Sequence, residues 1–300
     1  MNILPTLERE KIYDEVRRLK QADAGIDVRT VRRELAGRFP VLPSRMTLQR
    51  WLNGETSPTT SMNKFDSTPS DALSFFLGAW IGDGWADEND GGKRMRLKVR
   101  SKSFATEFAH SATKVLSKSS PYRVWTTEDE GGKWYNVKAT SLTLYRFVNQ
   151  PFEDFRATII QNPKGFLRGF FTAEGNPSVS LSRRFGLNVA VDLSNSDYPL
   201  LQEAQSMLCL LGFRPARIRL TMPKGSITNK GVATKSGWLL KLLKFCDVEK
   251  FSNDIGFADD VKQSKMIDAL DLIRTYGSKD AGRRWTGSYK KYKGTWVRIQ

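Results

Sequence analysis

The sequence predicts an α+β fold of two pseudo-symmetric units, each running helix, two strands, helix, two strands, helix, with antiparallel sheets. A small all-α domain precedes them. Three observations carry this. Ser74-Phe-Phe-Leu-Gly-Ala-Trp-Ile-Gly-Asp83-Gly84 is echoed 91 residues later by Gly165-Phe-Leu-Arg-Gly-Phe-Phe-Thr-Ala-Glu174-Gly175. Each copy is followed by a stretch of period-two alternation, the signature of a half-buried strand. The first 55 residues read as helices and are set apart by a polar stretch rich in Ser, Thr and Pro.

Taken in order, the N-terminal segment (1–55) reads as helices over Leu7 to about Ala24, Val28 to about Arg38 and Ser44 to about Leu52, the last opened by a serine cap and closed by Asn53-Gly54. The arrangement suits a helix-turn-helix or an ordinary three-helix bundle. On its third helix Leu48, Trp51 and Leu52 share a packing face, leaving Arg45, Gln49 and Arg50 for a major groove. Residues 56–70 read as a linker, 71–160 and 161–273 as the two units, and 274–300 as a C-terminal extension.

Within the first unit, Arg94 to Lys102 places basic residues at 94, 96, 98, 100 and 102 and apolar ones at 95, 97 and 99, a strand with one basic and one core face. In the second, Arg184 to Leu193 has apolar residues at every odd position from 185. The echo continues in amphipathic helices over 104–116 and 198–211, in strand-like 122–125 and 216–220, and in 137–144 and 232–240, which lead into the closing helices. Two antiparallel sheets follow, each covered by helices on one face and open on the other.

Composition narrows the chemistry. The 300 residues carry 48 Lys and Arg against 32 Asp and Glu, a formal +16, which points to a polyanion: nucleic acid first, an anionic membrane surface second. A single histidine, His110, rules out a histidine-rich zinc site. Cys209 and Cys246, 37 positions apart, supply neither a CxxC motif nor a disulfide framework. No Walker or dinucleotide-binding glycine motif occurs, and no apolar run is long enough for a bilayer. A cytoplasmic, nucleoid-associated or organellar-matrix protein without membrane contact is expected.

The repeated helix has its own logic. Gly78 and Gly82, like Gly169 and Ala173, stand four apart on one face, where small side chains let two backbones approach. Packing the helices side by side brings Asp83 and Glu174 together. Two crowded carboxylates are costly unless a divalent cation neutralises them, and oxygen donors without usable His or Cys indicate Mg²⁺ (or Mn²⁺) rather than zinc. The macrodipole disfavours an acid at a helix C-terminus, so its presence in both copies speaks for function.

Phe76-Leu-Gly-Ala-Trp-Ile-Gly-Asp-Gly84 and Leu167-Arg-Gly-Phe-Phe-Thr-Ala-Glu-Gly175 resemble the two signature helices of single-chain LAGLIDADG homing endonucleases, over about residues 71–273. The resemblance implies a monomeric, intron- or insertion-encoded enzyme that hydrolyses both strands of a long asymmetric DNA target and leaves a short 3′ overhang. It also implies that Asp83 and Glu174 hold metal, with the backbone carbonyls of Gly82 and Ala173 as further ligands. Lys262 matches the expected basic residue near the scissile phosphate, or is a solvated surface lysine. Ile81 and Thr172 depart from the pattern by replacing its first aspartate.

For DNA contact the sequence nominates Arg94, Arg96, Lys98, Arg100 and Lys102 in the first unit, and Arg184, Asn188, Arg217 and Arg219 in the second. The unequal charge of the two sets predicts a non-palindromic site. Residues 274–300 carry eight Lys and Arg against one Asp, interleaved with five aromatics, which suits an ordered extension clamping the backbone or a non-specific basic tail. The termini, Met-Asn and Arg-Ile-Gln, lack the junction residues of a self-splicing intein, so none is expected. Two other functions fit the sequence: a non-cleaving DNA-binding transcription regulator, and an RNA maturase acting on its own intron RNA.

Overall fold

The N-terminal helices are α1 (Thr6–Ala22), α2 (Val28–Ala36) and α3 (Arg45–Leu52). Asp27 caps α2 by accepting from the Thr30 N–H, and Ser44 caps α3 by accepting from the Thr47 N–H. Ile12 and Val16, Val31 and Leu35, and Leu48 and Leu52 recur at helical spacing and bury together with Val28 and Trp51. This cluster is separate from the main core. The computed structural model describes residues 6–58, 65–89, 92–228, 231–292 and 294–299. Much of the segment expected to be a linker lies outside the described residues. Its end is packed: Phe65 lies 5.0 Å from the Phe147 ring, and the Asp66 N–H donates to Val115 O at 2.9 Å.

The first unit contains α4 (Asp71–Asp83), β1 (Gly84–Asn89), β2 (Gly92–Val99), α5 (Lys102–Val115), β3 (Val124–Asp129), β4 (Gly132–Thr140), α6 (Leu142–Val148) and α7 (Phe152–Gln161). The second contains α8 (Pro163–Glu174), β5 (Gly175–Ser182), β6 (Gly186–Asn195), α9 (Tyr198–Leu210), β7 (Arg219–Met222), β8 (Ile227–Thr228), β9 (Gly231–Val232), β10 (Gly237–Leu242) and α10 (Phe245–Asp254). Their antiparallel sheets have equivalent strand orders, β1-β2-β4-β3 and β5-β6-β10-β7, with the β8-β9 hairpin inserted in the second unit. The chain is thus an α+β fold of two αββαββα units, as the repeat predicted, with α7 added as a connecting helix. Met95, Leu97, Val137 and Ala139 of the first sheet and Leu187, Val189, Val191, Leu193, Leu240 and Leu242 of the second point into one core shared with the helices.

Helices α4 and α8 run parallel, side by side, because glycine occupies the crossing positions. A Cβ at Gly78 would stand 2.1 Å from Phe166 O, and one at Gly169 would stand 2.3 Å from Phe75 O. At the far end a Cβ at Gly82 would meet the Ala173 Cβ at 2.3 Å. Any side chain at these glycines forces the backbones apart.

Four boundaries differ from expectation. The basic strand ends at Val99, because Ser101 caps α5 by accepting from the Phe104 N–H, so Lys102 begins a helix. The strand expected from Arg184 begins at Gly186, whose φ of +79° closes the β5-β6 turn and leaves Arg184 and an exposed Phe185 in that turn. The strand expected over 216–220 begins at Arg219, which leaves Arg217 ahead of it. The division at 273/274 falls inside α11 (Asp260–Ser288), which bends at Gly277 (φ +69°) and leads into β11 (Tyr289–Tyr292) and β12 (Thr295–Arg298). Trp285 is fully buried and stacks on Tyr289 at 3.9 Å, and both belong to the main core. Among the described residues the C-terminal segment therefore packs against the main core through Ala281, Trp285, Tyr289 and Trp296.

Candidate functional site

Asp83 and Glu174 are the last residues of α4 and α8, and each is followed by a glycine in extended conformation that turns the chain into the first strand of its unit. Close approach of the helices places Gly82 against Ala173 and within 3.3 Å of the Glu174 Cγ for an added Cβ. Burial raises the Asp83 carboxyl above its ordinary value although its side chain still meets solvent, and the positive charge of Lys262 opposes the rise. Glu174 is pushed up to about 7, by burial first and by the neighbouring Asp83 charge second, with Lys262 again opposing.

Lys262, in the first turn of α11, completes the group. Its Nζ donates to Thr172 O at 2.7 Å and to Gly175 O at 2.8 Å, carbonyls at the C-terminal end of α8 where helical partners run out. Burial lowers its pKa, while Asp259, Asp83 and Glu174 hold the charged form in place. Lys262 is half-buried and held by two backbone carbonyls rather than free in solvent, and its charge acts on both Asp83 and Glu174.

The donor set suits a hard divalent cation. Among the described residues no group of three or more His, Cys, Asp or Glu stands together, so an ion here has two carboxylates and must complete its shell with carbonyls and water, as Mg²⁺ does. Gly82 and Ala173 lie in the last helical turns, where carbonyls are available, and Lys262 engages neither of them. The crowding of Asp83 on Glu174 is the electrostatic demand that such an ion would meet.

The sheets flank this end of the helix pair. On the first, Arg96 pairs with Lys138, and Lys98 with Asn136, while Met95, Leu97, Val137 and Ala139 face the core, so the basic residues share the open face. Acids from the same sheet join them: Arg96 contacts Asp87 of the adjacent β1 at 2.5 Å, and Lys98 reaches across β4 to Asp129 of β3 at 3.3 Å. The uninterrupted basic face read from one strand is therefore partly compensated across the sheet. Arg100 lies over the Trp134 ring at 3.7 Å. Lys102 is exposed at the start of α5, off the sheet.

On the second sheet Asn188 is exposed on the open face, together with Ala190 and Asp192, and Lys241 pairs with Asp192 at 2.9 Å. Arg219 is on β7 and Arg184 in the β5-β6 turn, both exposed, and Arg217 is exposed ahead of β7. In the N-terminal unit Arg45 and Arg50 are exposed on α3, and Gln49 is half-buried with its amide donating to Asn53 Oδ1 at 3.1 Å. Lys138 and Trp134 were not nominated from sequence, although the even spacing of 134, 136 and 138 carries the signal that exposed the basic strand.

Two units whose glycine-lined helices abut and end in paired acids define the class of architecture. Residues 161–256, most of the second unit, match the model of the family described as the LAGLIDADG-like domain, and the first unit repeats the second unit's element order. An uncharacterized protein of Methanocaldococcus jannaschii is 27% identical over 188 residues, covering 62% of this chain and 65% of that protein's length. The fold is also similar to solved structures of I-DmoI in complex with DNA and Mn (TM-score 0.42, 19% identity, 62% of this chain and 96% of that one). I-LtrWI, a LAGLIDADG homing endonuclease bound to target DNA, gives a TM-score of 0.44 at 8% identity, over 71% of this chain and 95% of that one. The N-terminal LAGLIDADG domain of DUF199/WhiA gives 0.40 at 18%, over 62% and 81%.

Proposed function

We propose that the protein is a metal-dependent, site-specific double-strand DNA endonuclease of the homing type. The observation that carries this is the meeting of Asp83, Glu174 and Lys262 at one end of the helix pair, between two sheets whose open faces carry arginine and lysine. A structural role alone gives no reason to place two acids with raised pKa values at two helix C-termini, against the dipoles. Asp83, Glu174 and the carbonyls of Gly82 and Ala173 would hold Mg²⁺ or Mn²⁺, which supplies activation of a water and stabilisation of charge on the scissile phosphate. Lys262 adds a fixed positive charge toward the same phosphate. Arg94, Arg96, Lys98 and Arg100 grip one half-site and Asn188, Arg184, Arg217 and Arg219 the other. The unequal faces demand an asymmetric target, and α3 provides a contact outside the cleft through Arg45, Gln49 and Arg50.

Incubating the protein with a randomised duplex DNA library, in Mg²⁺ and separately in Ca²⁺, then sequencing bound molecules and new ends, tests the reading. New ends at one asymmetric motif are expected in Mg²⁺, falling at least about 100-fold in Asp83→Asn and in Glu174→Gln, the loss typical of removing a key electrostatic group. Specific binding without new ends in either ion would overturn cleavage and leave a DNA-binding regulator.

A further inference from the structure

The five residues joining α10 to α11, Ile255 to Asp259, are tied down from both units. Arg168 Nη1 donates to Ile255 O at 2.9 Å, and Arg168 is itself clamped by Glu107 of α5 through two bonds of 2.8 and 2.9 Å. The Phe257 N–H donates to Gln263 Oε1 at 2.8 Å, and the Phe257 ring packs 5.4 Å from Phe251. The Ala258 N–H donates to Thr172 Oγ1 at 2.8 Å. Just beyond, the Asp260 N–H donates to Ser103 Oγ at 3.0 Å. The strap thus enters α11 under the control of Arg168 and Thr172 from the second unit and of Ser103 and Glu107 from the first.

Thr172 acts at both ends of this arrangement. An amide N–H only donates, so the hydroxyl must accept from Ala258, and its one proton goes to Arg168 O at 2.6 Å. The Thr172 main-chain carbonyl meanwhile accepts from Lys262 Nζ at 2.7 Å. Lys262 stands in the first turn of α11, so the point at which the strap enters that helix sets where its ammonium can reach. A carboxylate at 172 would repel the Arg168 carbonyl that the hydroxyl now satisfies.

We infer that Thr172 is a positioning residue which, through the Ala258 amide, holds the strap and the first turn of α11 so that Lys262 lies beside Asp83 and Glu174. Ser103 and Glu107 make this placement depend on docking of the first unit. The inference rests on the nuclease reading for its consequence in catalysis, and on the hydrogen bonds alone for its consequence in structure.

The test compares full-length Thr172→Val, which keeps the shape and loses both side-chain bonds, with Thr172→Ser, which keeps the hydroxyl. Hydrogen exchange over residues 256–260 and the rate of reductive methylation at Lys262 are read by mass spectrometry without DNA. Single-turnover cleavage and DNA affinity are read in parallel. In Thr172→Val, exchange and Lys262 methylation should each rise about tenfold, and cleavage should fall about tenfold with affinity within twofold of wild type. Thr172→Ser should restore all of them. Wild-type exchange and methylation in Thr172→Val would overturn the inference whatever the cleavage rate. An uncleaving wild type would overturn the nuclease reading while exchange and methylation still decide the positioning role. If Thr172→Val does not fold, Ser103→Ala carries the same test from the first unit: faster methylation of Lys262 supports the inference and an unchanged rate overturns it.

Discussion

At Glu174 the site works against stability, and the sign is readable. Its folded value of about 7 lies above the ordinary 4.5, so the carboxyl's contribution to stability is complete below about pH 4.5 and is withdrawn as the pH rises through about 7. Glu174→Gln removes the ionised form, so in chelator it should melt roughly 1–2 °C above wild type at pH 8, the scale of about 1 kcal/mol in a chain of this size, and close to wild type at pH 5. Thermal melts at the two pH values check this; equal shifts at both would deny Glu174 its raised pKa. The carboxylates were legible in the sequence because each ends a repeated helix. The placement of Lys262 was not, since a lysine in the charged segment 259–265 gives no sign of which carbonyls its amine will find. Thr172 was visible only as a departure from the motif, and its hydroxyl gains meaning from Ala258, 86 positions away.

At the scale of elements, α4 and α8 depend on the absence of side chains where they cross. Gly169→Ala places a methyl 2.3 Å from Phe75 O and 2.7 Å from Ala79 N, both backbone atoms that cannot swing aside. The cost should be about 1–3 kcal/mol or more, read as a lower urea midpoint with unchanged slope. Cleavage should fall further than stability alone explains, because separating the helices separates Asp83 from Glu174. A midpoint within error of wild type would mean that the helices re-pack freely. The helices, their caps and the alternating strands were readable because each obeys a local rule. The strand limits at Val99 and Gly186 were not, because basic alternation runs on into the α5 cap and apolar alternation begins in the turn before β6. The cross-strand acids Asp87 and Asp129 were likewise hidden, since register belongs to the sheet and not to the single strand.

The whole molecule joins two separately cored parts. The N-terminal helices bury their own cluster, and Glu10 of α1 forms an ion pair with Arg146 of α6 that bridges it to the first unit. Residues 1–58 hold eleven Lys and Arg against eight Asp and Glu, so this part adds little to the overall +16, and its contribution to DNA binding must be local. A chain beginning at residue 65, which retains Phe65 against Phe147, should keep the target sequence and the cleavage rate once bound. Its affinity should drop, and the slope of log K against log salt should shallow by about 0.9 for each phosphate no longer neutralised, hence by about 2 if Arg45 and Arg50 each hold one. Filter binding across a salt series measures both quantities. An unchanged slope would mean that α3 does not touch DNA and that its helices form an ordinary three-helix bundle. A changed target sequence would mean instead that α3 reads bases, which moves part of the specificity from the sheets to the N-terminal domain.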